Sequence, residues 1–150
     1  MVRKIAVSDL PGLVGHELGS SAWFAVDQAR INQFAQVTAD EQWIHVDEIR
    51  AAQGPFGSTV AHGYLTLSLL PMFLQQAWAI DGVRMSVNYG LNRVRFPSPV
   101  PAGSRLRAHF KLNACKTIEG GVQLTSEVVV EREGHAKPVC VAEPVSRHYL

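Results

Sequence analysis

The sequence predicts an α+β protein in which one antiparallel sheet wraps around one apolar helix, all within a single domain over residues 1–150. The first observation is the stretch from Val60 to about Trp78, which is hydrophobic on nearly every side of a helix. The second is a change of period after Gly82, where strand-like segments alternate with turn residues. A helix that is apolar all round has to be buried, and a meander of strands can cover it.

The elements before the apolar helix are predicted from local signals. Ile31, Phe34 and Ala35 recur at steps of three and four residues, which predicts an amphipathic helix. Asp27 precedes this run and is a favoured N-cap residue. In order, the predicted elements are an irregular or briefly helical lead-in over Val2–Gly19, a strand over Ser21–Val26, a helix over Gln28–Thr38, a loop with a short helix over Glu41–Gln53, and a turn-rich connector over Gly54–Thr59.

The apolar helix and the strands after it complete the predicted order. Pro71 removes one internal hydrogen bond, so we expect a kink between Leu67 and Pro71. Segments rich in Pro and Gly separate the strands that follow. These strands are predicted over Met85–Phe96, Arg105–Lys116, Gly121–Arg132 and Pro138–His148.

Composition and charge argue against several functional classes. The formal net charge is +1 and no run of Lys or Arg occurs, so nucleic-acid binding is not predicted. His62, Gly63 and Pro71 interrupt the most apolar window, which falls short of a membrane span. The N-terminus lacks the apolar core of a signal peptide, so we expect a cytoplasmic protein. Cys115 and Cys140 lack metal-ligand spacing, and buried free thiols are favoured over a disulfide.

The first candidates for chemistry are Asp40 and His45, which lie five positions apart. An imidazole titrates near neutral pH, and a carboxylate beside it can orient it and share a water molecule with it. The apolar Trp43 and Ile44 lie between them and are expected to hold the loop against the core. By spacing alone the alternative stays open, namely an exposed carboxylate and a loop histidine that binds backbone groups.

Later residues offer places for negative charge. Gly63 lies at the first turn of the predicted buried helix, where its amide lacks an internal partner, and His62 precedes it. The alternative is that Gly63 allows close packing on the sheet and that His62 satisfies a backbone group. Among the basic residues of the strand region, Arg93 and Arg95 are candidates for binding a phosphate-bearing ligand. The alternative is that both arginines lie on a solvent-exposed face of a strand and bind no ligand.

The motifs around these candidates resemble a known family. Asp40–Asp47, Gly54–Gly57 and Ala61–Gly63 resemble the hydratase motif of the MaoC-like, (R)-specific enoyl-CoA hydratases. Asn88–Phe96 and Pro99–Gly103 are similar to the NodN-like branch of that family. The resemblance implies a hot-dog fold, in which a curved antiparallel sheet surrounds a long central helix. It also implies a homodimer with a continuous sheet.

The resemblance also implies a reaction. Asp40 and His45 match the family's catalytic Asp and His, and Gly63 matches the glycine whose amide binds the thioester oxygen. The implied reaction is the reversible hydration of a trans-2-enoyl-CoA to an (R)-3-hydroxyacyl-CoA. Coenzyme A is then part of the substrate, and no metal or redox cofactor is expected.

One departure from the family pattern affects the site. Gln42 and Trp43 stand where the family usually has Asn-Pro, and Gln42 can still offer an amide two residues after Asp40. Two alternatives to a hydratase are an acyl-CoA thioesterase of the same fold and a non-catalytic acyl-binding subunit. The second alternative does not need both members of the Asp–His pair. The predicted substrate-binding residues are Gln42, His62, Arg93 and Arg95.

Overall fold

The computed structural model of the protein describes residues 2–150 and confirms the predicted α+β architecture. Short helices fill the first half of the chain, and long strands fill the second. The elements are β1 (Arg3–Ile5), a 3-10 helix (Val7–Leu13), β2 (Glu17–Ser20), β3 (Phe24–Val26), α1 (Gln28–Thr38), α2 (Trp43–Val46), α3 (Glu48–Ala52), α4 (Gly63–Ser68), α5 (Leu70–Ala77), β4 (Trp78–Ile80), β5 (Met85–Arg95), β6 (Ser104–Ile118), β7 (Gly121–Arg132) and β8 (Cys140–Tyr149).

Six strands form one antiparallel sheet in the order β2-β6-β7-β8-β5, and β3 also pairs with β6. Because β6, β7 and β8 pair in sequence order, the predicted meander is confirmed for these three strands, whereas β5 pairs with β8 and not with β6. Every second residue of β7 from Leu124 to Val130 is buried, so one face of the sheet covers the core. The thiols of Cys115 and Cys140 are free, as predicted, and Cys140 is fully buried.

The apolar helix lies in the core as predicted, but its bounds were wrong. Val60 pairs with Pro101 in an isolated bridge, and the helix begins only at Gly63. It breaks at Leu69 into α4 and α5, and α5 gives way to β4 after Ala77. Pro71 lies at the start of α5, where its missing amide removes no helical bond, so the expected kink is a break between two helices. None of the helices in the described part of the chain has the length and apolar character to cross a membrane.

The segments before and after the central helices hold pairings that local signals did not predict. In the lead-in, β1 pairs in parallel with β4, and β2 pairs with β6. The predicted strand over Ser21–Val26 is reduced to its last three residues, and at Ser21 the hydroxyl accepts a hydrogen bond from the Ala108 amide. Helix α1 has the predicted bounds, and the Asp27 side chain caps it by accepting the Arg30 amide at 2.9 Å.

Strand β5 is the edge strand beside β8 and carries an exposed apolar surface. Met85, Val87 and Tyr89 are 53%, 39% and 57% exposed. The register against β8 shifts within Asn88–Gly90 and again within Leu91–Arg93, with one extra β5 residue each time. These are two β-bulges, which bend the strand and re-aim its side chains. The outer edge of β5 leaves backbone groups free to pair with another strand.

Candidate active site

His45 lies on the short helix α2 and is 7% exposed. Its Nδ1 donates a hydrogen bond to the Val60 carbonyl at 2.6 Å. Because a carbonyl can only accept, this bond fixes the proton on Nδ1 and leaves a lone pair on Nε2. Burial lowers the pKa of His45, and the nearby His62 adds to this effect, while the bond to Val60 and the charge of Asp40 oppose it. The imidazole is therefore neutral at pH 7 and can accept a proton.

Asp40 follows the end of α1, as predicted. The chain leaves the helix through Ala39, which has a left-handed backbone with φ of 59°. This conformation is uncommon for a residue with a Cβ atom, and it redirects the chain toward α2. A carboxylate oxygen of Asp40 lies within 4.8 Å of one ring nitrogen each of His45 and His62. Asp40 is exposed while both histidines are buried, so the carboxylate stands at the mouth of the site.

His62 connects the two predicted catalytic residues. Its ring stacks on the His45 ring with centroids 3.7 Å apart, and Phe34 packs on it at 4.9 Å. Its Nε2 donates to the Asp40 carbonyl at 2.9 Å, so Nδ1 carries the lone pair. This arrangement fixes the backbone of Asp40 relative to the His45 ring. The sequence left open that His62 only satisfies a backbone group, and its Nε2 atom does so.

Gly63 is the first residue of α4, so its amide has no partner inside the helix. No other hydrogen bond of this amide is found within the described residues. A Cβ atom at this position would lie 2.8 Å from Cδ2 of Phe96. A side chain at this position would have to push the Phe96 ring aside, so close packing and a free amide occur at the same residue.

Gln28 and Thr59 support the site, and sequence reasoning did not find them. The Gln28 Nε2 donates to the His45 carbonyl at 2.8 Å. Its Oε1 accepts a hydrogen bond from the hydroxyl of Thr59, which is 3% exposed. One side chain at the start of α1 thus holds the backbone of the candidate base and the segment before Val60. No local pattern marks such a residue, because its partners are 17 and 31 positions away.

Gln42 and Trp43 form the start of α2. Trp43 packs on Gly54, where a Cβ atom would lie 3.0 Å from the indole, and Arg50 stacks over the ring at 4.2 Å. These contacts hold Trp43 against the neighbouring α3 segment, and not against the hydrophobic core as had been expected. Gln42 is the N-cap residue but makes no capping bond through its exposed side chain. Its amide group is therefore available to a ligand.

A family model described as a MaoC like domain matches residues 9–133, which include all of these site residues. The chain belongs to the MaoC-like family. This MaoC-like chain is 50% identical over 144 residues to 3-hydroxyacyl-thioester dehydratase Z of Mycobacterium tuberculosis, and the match covers 95% of each chain. It is 44% identical over 151 residues to nodulation protein N of Rhizobium meliloti, covering 94% of this chain and 89% of that protein.

Solved structures agree with this assignment. An (R)-hydratase from A. caviae, involved in PHA biosynthesis, matches with a TM-score of 0.69 at 25% identity, covering 89% of this chain and 94% of that chain. The MaoC-like chain thus has the hot-dog fold that its resemblance implied. The match to nodulation protein N confirms the NodN-like branch.

The two arginines predicted to bind substrate lie apart from this cluster. Arg93 and Arg95 are exposed on β5 on either side of Val94, whose side chain packs on the core. Since side chains alternate along a strand, both arginines project from the outer face of the sheet. Phe96, the next residue, returns to the Gly63 side. The role of the arginines remains a prediction.

Asp40, His45 and His62 form a His₂-carboxylate set, which is a ligand type that zinc accepts. The stacked rings do not suit one ion, however, because each lone pair lies in its own ring plane and the planes are only 23° from parallel. Joint coordination would require one ring to rotate and to break its bond to backbone. The arrangement suits proton transfer better.

A cavity of about 490 Å³ lies between the central helices and the sheet. Leu67, Leu70 and Leu74 line its helix side, and Leu91 and Phe110 lie opposite. None of the site residues described above lines this cavity, and Leu67, its first lining residue along the helix, lies about one helical turn beyond Gly63. Its volume is that of a typical small-molecule site, for which about 300–1,000 Å³ is usual.

Proposed function

We propose that the protein catalyses the reversible, (R)-specific hydration of trans-2-enoyl-CoA thioesters to (R)-3-hydroxyacyl-CoA. The observation that carries this proposal is the unprotonated Nε2 of buried His45, which lies beside Asp40 and near the free amide of Gly63. Similarity to a 3-hydroxyacyl-thioester dehydratase supports it, because dehydration is the reverse of hydration. A hydro-lyase acting on 3-hydroxyacyl thioesters is the corresponding enzyme class.

The proposed mechanism uses one water molecule held between Asp40 and Nε2 of His45. The pair accepts a proton from this water as its oxygen bonds to C3 of the substrate, and the C2–C3 π electrons move toward the thioester carbonyl. The Gly63 amide donates a hydrogen bond to the enolate oxygen that develops. The pair then returns one proton to C2, so the net change is the addition of one water. No metal or redox cofactor takes part in these steps.

The apolar cavity is proposed to hold the acyl chain, because it begins one turn beyond Gly63 and is lined mainly by hydrophobic side chains. Gln42 and His62 are proposed to bind the thioester end of the substrate, where Gln42 offers a free amide. Arg93 and Arg95 are proposed to bind the phosphates of coenzyme A at the surface of the sheet, since guanidinium groups suit phosphate oxygens.

The test is turnover of crotonyl-CoA by Asp40→Asn and His45→Gln. We expect each to lose about 10²–10⁴-fold in kcat, which is the usual contribution of a general acid or base. Asp81→Asn and His135→Gln change the same residue types at exposed positions and are the matched controls. Near-normal turnover in Asp40→Asn or His45→Gln would contradict the assignment of these two residues as the catalytic pair.

The same assay separates hydration from hydrolysis. Loss of the enoyl absorbance without release of free thiol means that water adds to the double bond. Release of free thiol means that the protein is a thioesterase, and absence of both changes favours an acyl-binding subunit. The stereochemistry of the 3-hydroxyacyl product tests the (R) assignment.

A homodimer is proposed through the edge of β5, where unpaired backbone groups and an apolar surface occur together. We expect Met85→Lys together with Val87→Lys to weaken the dimer in sedimentation experiments, because two charges per protomer would be buried at the new strand pair. Val37→Lys is the control, since Val37 is 86% exposed on α1. A wild-type monomer, or a complex only with a different chain, would contradict the proposal.

A further inference from the structure

The wall of the cavity that faces the central helices carries polar groups. Asn88 on β5, Ser126 on β7 and Ser146 on β8 all line it, opposite the leucines of α4 and α5. Asn88 and Ser146 are register partners, so these two side chains lie side by side on neighbouring strands. A cavity that only has to hold a hydrocarbon chain does not need such groups, because polar atoms lose hydration when an apolar chain covers them.

The polar wall lies at the end of the cavity remote from the site. Phe96 contacts Gly63, and Asn88 lies eight positions earlier on the same strand. At about 3.3 Å per residue, this separation is roughly 25 Å along the strand, and the two bulges shorten it. The bulge within Asn88–Gly90 also decides which face of β5 the Asn88 side chain occupies.

Ser126 is 6% exposed and makes no side-chain hydrogen bond within the described residues. The hydroxyl oxygen is not fully enclosed by protein atoms, so it is open to the cavity. The amide of Asn88 is also without a hydrogen-bond partner among the described side chains. The Ser126 hydroxyl and the Asn88 amide are thus free to bind a ligand that enters the cavity.

Ser146 belongs to a short hydrogen-bonded chain. Its hydroxyl is 2.8 Å from Nε2 of His148, and Nδ1 of that ring is 2.9 Å from the hydroxyl of Ser86. His148 is 3% exposed, and burial lowers its pKa, so the ring is neutral and has one donor and one acceptor nitrogen. If Nε2 carries the proton, Ser146 can donate into the cavity; if Nδ1 carries it, Ser146 offers an acceptor. The wall can therefore match either a hydroxyl or a carbonyl group.

We propose that the cavity selects acyl chains that carry an oxygen function, a hydroxyl or a carbonyl, in the part of the chain distant from the thioester. Ser126, Asn88 and Ser146 bind this oxygen, while the leucines of the helices contact the chain before it. The inference rests on the proposed function, in which the cavity holds the acyl part of the substrate. The proposal specifies the kind of acyl chain that is bound, which the Asp–His pair does not determine.

The test uses pairs of saturated acyl-CoA thioesters of equal chain length, one a plain hydrocarbon and one with a hydroxyl near the chain end. Calorimetry gives both affinities, so the result does not depend on catalysis. We expect wild-type protein to prefer the hydroxylated member by about tenfold, the effect of one hydrogen bond of about 1.4 kcal/mol. Ser126→Ala and Asn88→Ala are expected to lose most of this preference.

Thr125→Val is the matched control, because Thr125 precedes Ser126 on β7 and points to the other face of the sheet. It is expected to keep the wild-type preference. Equal affinities for the two thioesters, or a preference that survives in both alanine variants, would overturn the proposal. Crotonyl-CoA turnover by wild-type protein is measured in parallel, so that failure of the proposed reaction is seen separately from failure of the oxygen preference.

Discussion

Gln28 joins three parts of the site, and its removal has a calculable effect. Gln28→Ala leaves the His45 carbonyl and the buried hydroxyl of Thr59 without their partner. Each unsatisfied group is unfavourable by about 1–3 kcal/mol, and the half-buried position of Gln28 lets water offset part of this. We expect a loss of about 2 kcal/mol in the free energy of unfolding, which is close to a 30-fold change in the folding equilibrium.

The same helix offers matched controls. Gln33 and Gln36 are exposed on α1, and Gln33→Ala and Gln36→Ala are expected to change stability by less than about 0.5 kcal/mol. Thr59→Val, combined with Gln28→Ala, completes a double-mutant cycle. Because the two side chains share one hydrogen bond, we expect the effects to be non-additive by about 0.5–1.5 kcal/mol.

Urea unfolding followed by tryptophan fluorescence measures these changes. The protein concentration has to be fixed, since a dimer makes apparent stability depend on concentration. Turnover of crotonyl-CoA by the folded variants shows whether α2 has moved. If Gln28→Ala is as stable and as active as Gln33→Ala, the bridge from Gln28 to His45 does not support the site.

Three further predictions follow from burial. Burial lowers the pKa of His148, so the unfolded chain takes up a proton before the folded chain as pH falls below the ordinary value of 6.5. The free energy of unfolding should therefore decrease below this pH. His148→Gln should flatten the pH dependence in urea titrations at several pH values. Gly63→Ala keeps the backbone amide but places a methyl group against the Phe96 ring, so it should lower stability in urea unfolding, and Phe96→Ala in the same chain should restore stability. Burial raises the pKa of Cys140 to about 11, so mass spectrometry should find Cys115 alkylated first.

Local signals were enough to predict much of the fold. Helix α1 was predicted at both ends because its apolar spacing and the Asp27 cap are encoded in neighbouring residues. The start of the central helix was misplaced by three residues, since apolar composition does not show that Val60 pairs with Pro101. The order of the long strands was predicted because turn residues separate them. Their ends differ by a few residues, and the pairing of β5 with β8 was not predicted.

Long-range pairing accounts for what was missed. β1 has three residues and exists only because Arg3–Ile5 meets Trp78–Ile80, so no local pattern marks it. The contact of Phe96 with Gly63 and the bonds of Gln28 likewise join distant segments. In the candidate site, the sequence could therefore nominate Asp40 and His45 but could not show what holds them together.

The replacement of Asn-Pro by Gln42-Trp43 has a physical explanation in this structure. Trp43 is the first residue of α2, and this is the helix position at which proline is favoured, because its fixed φ suits the helix and its missing amide removes no bond. Trp43 lacks that restraint, but its indole is held between Gly54 and Arg50. In this chain, packing of the indole fixes the start of α2, and with it His45. In the usual Asn-Pro sequence, the proline ring would restrict the backbone at the same position. Gln42 remains free to reach a bound water or substrate, as its shorter counterpart would.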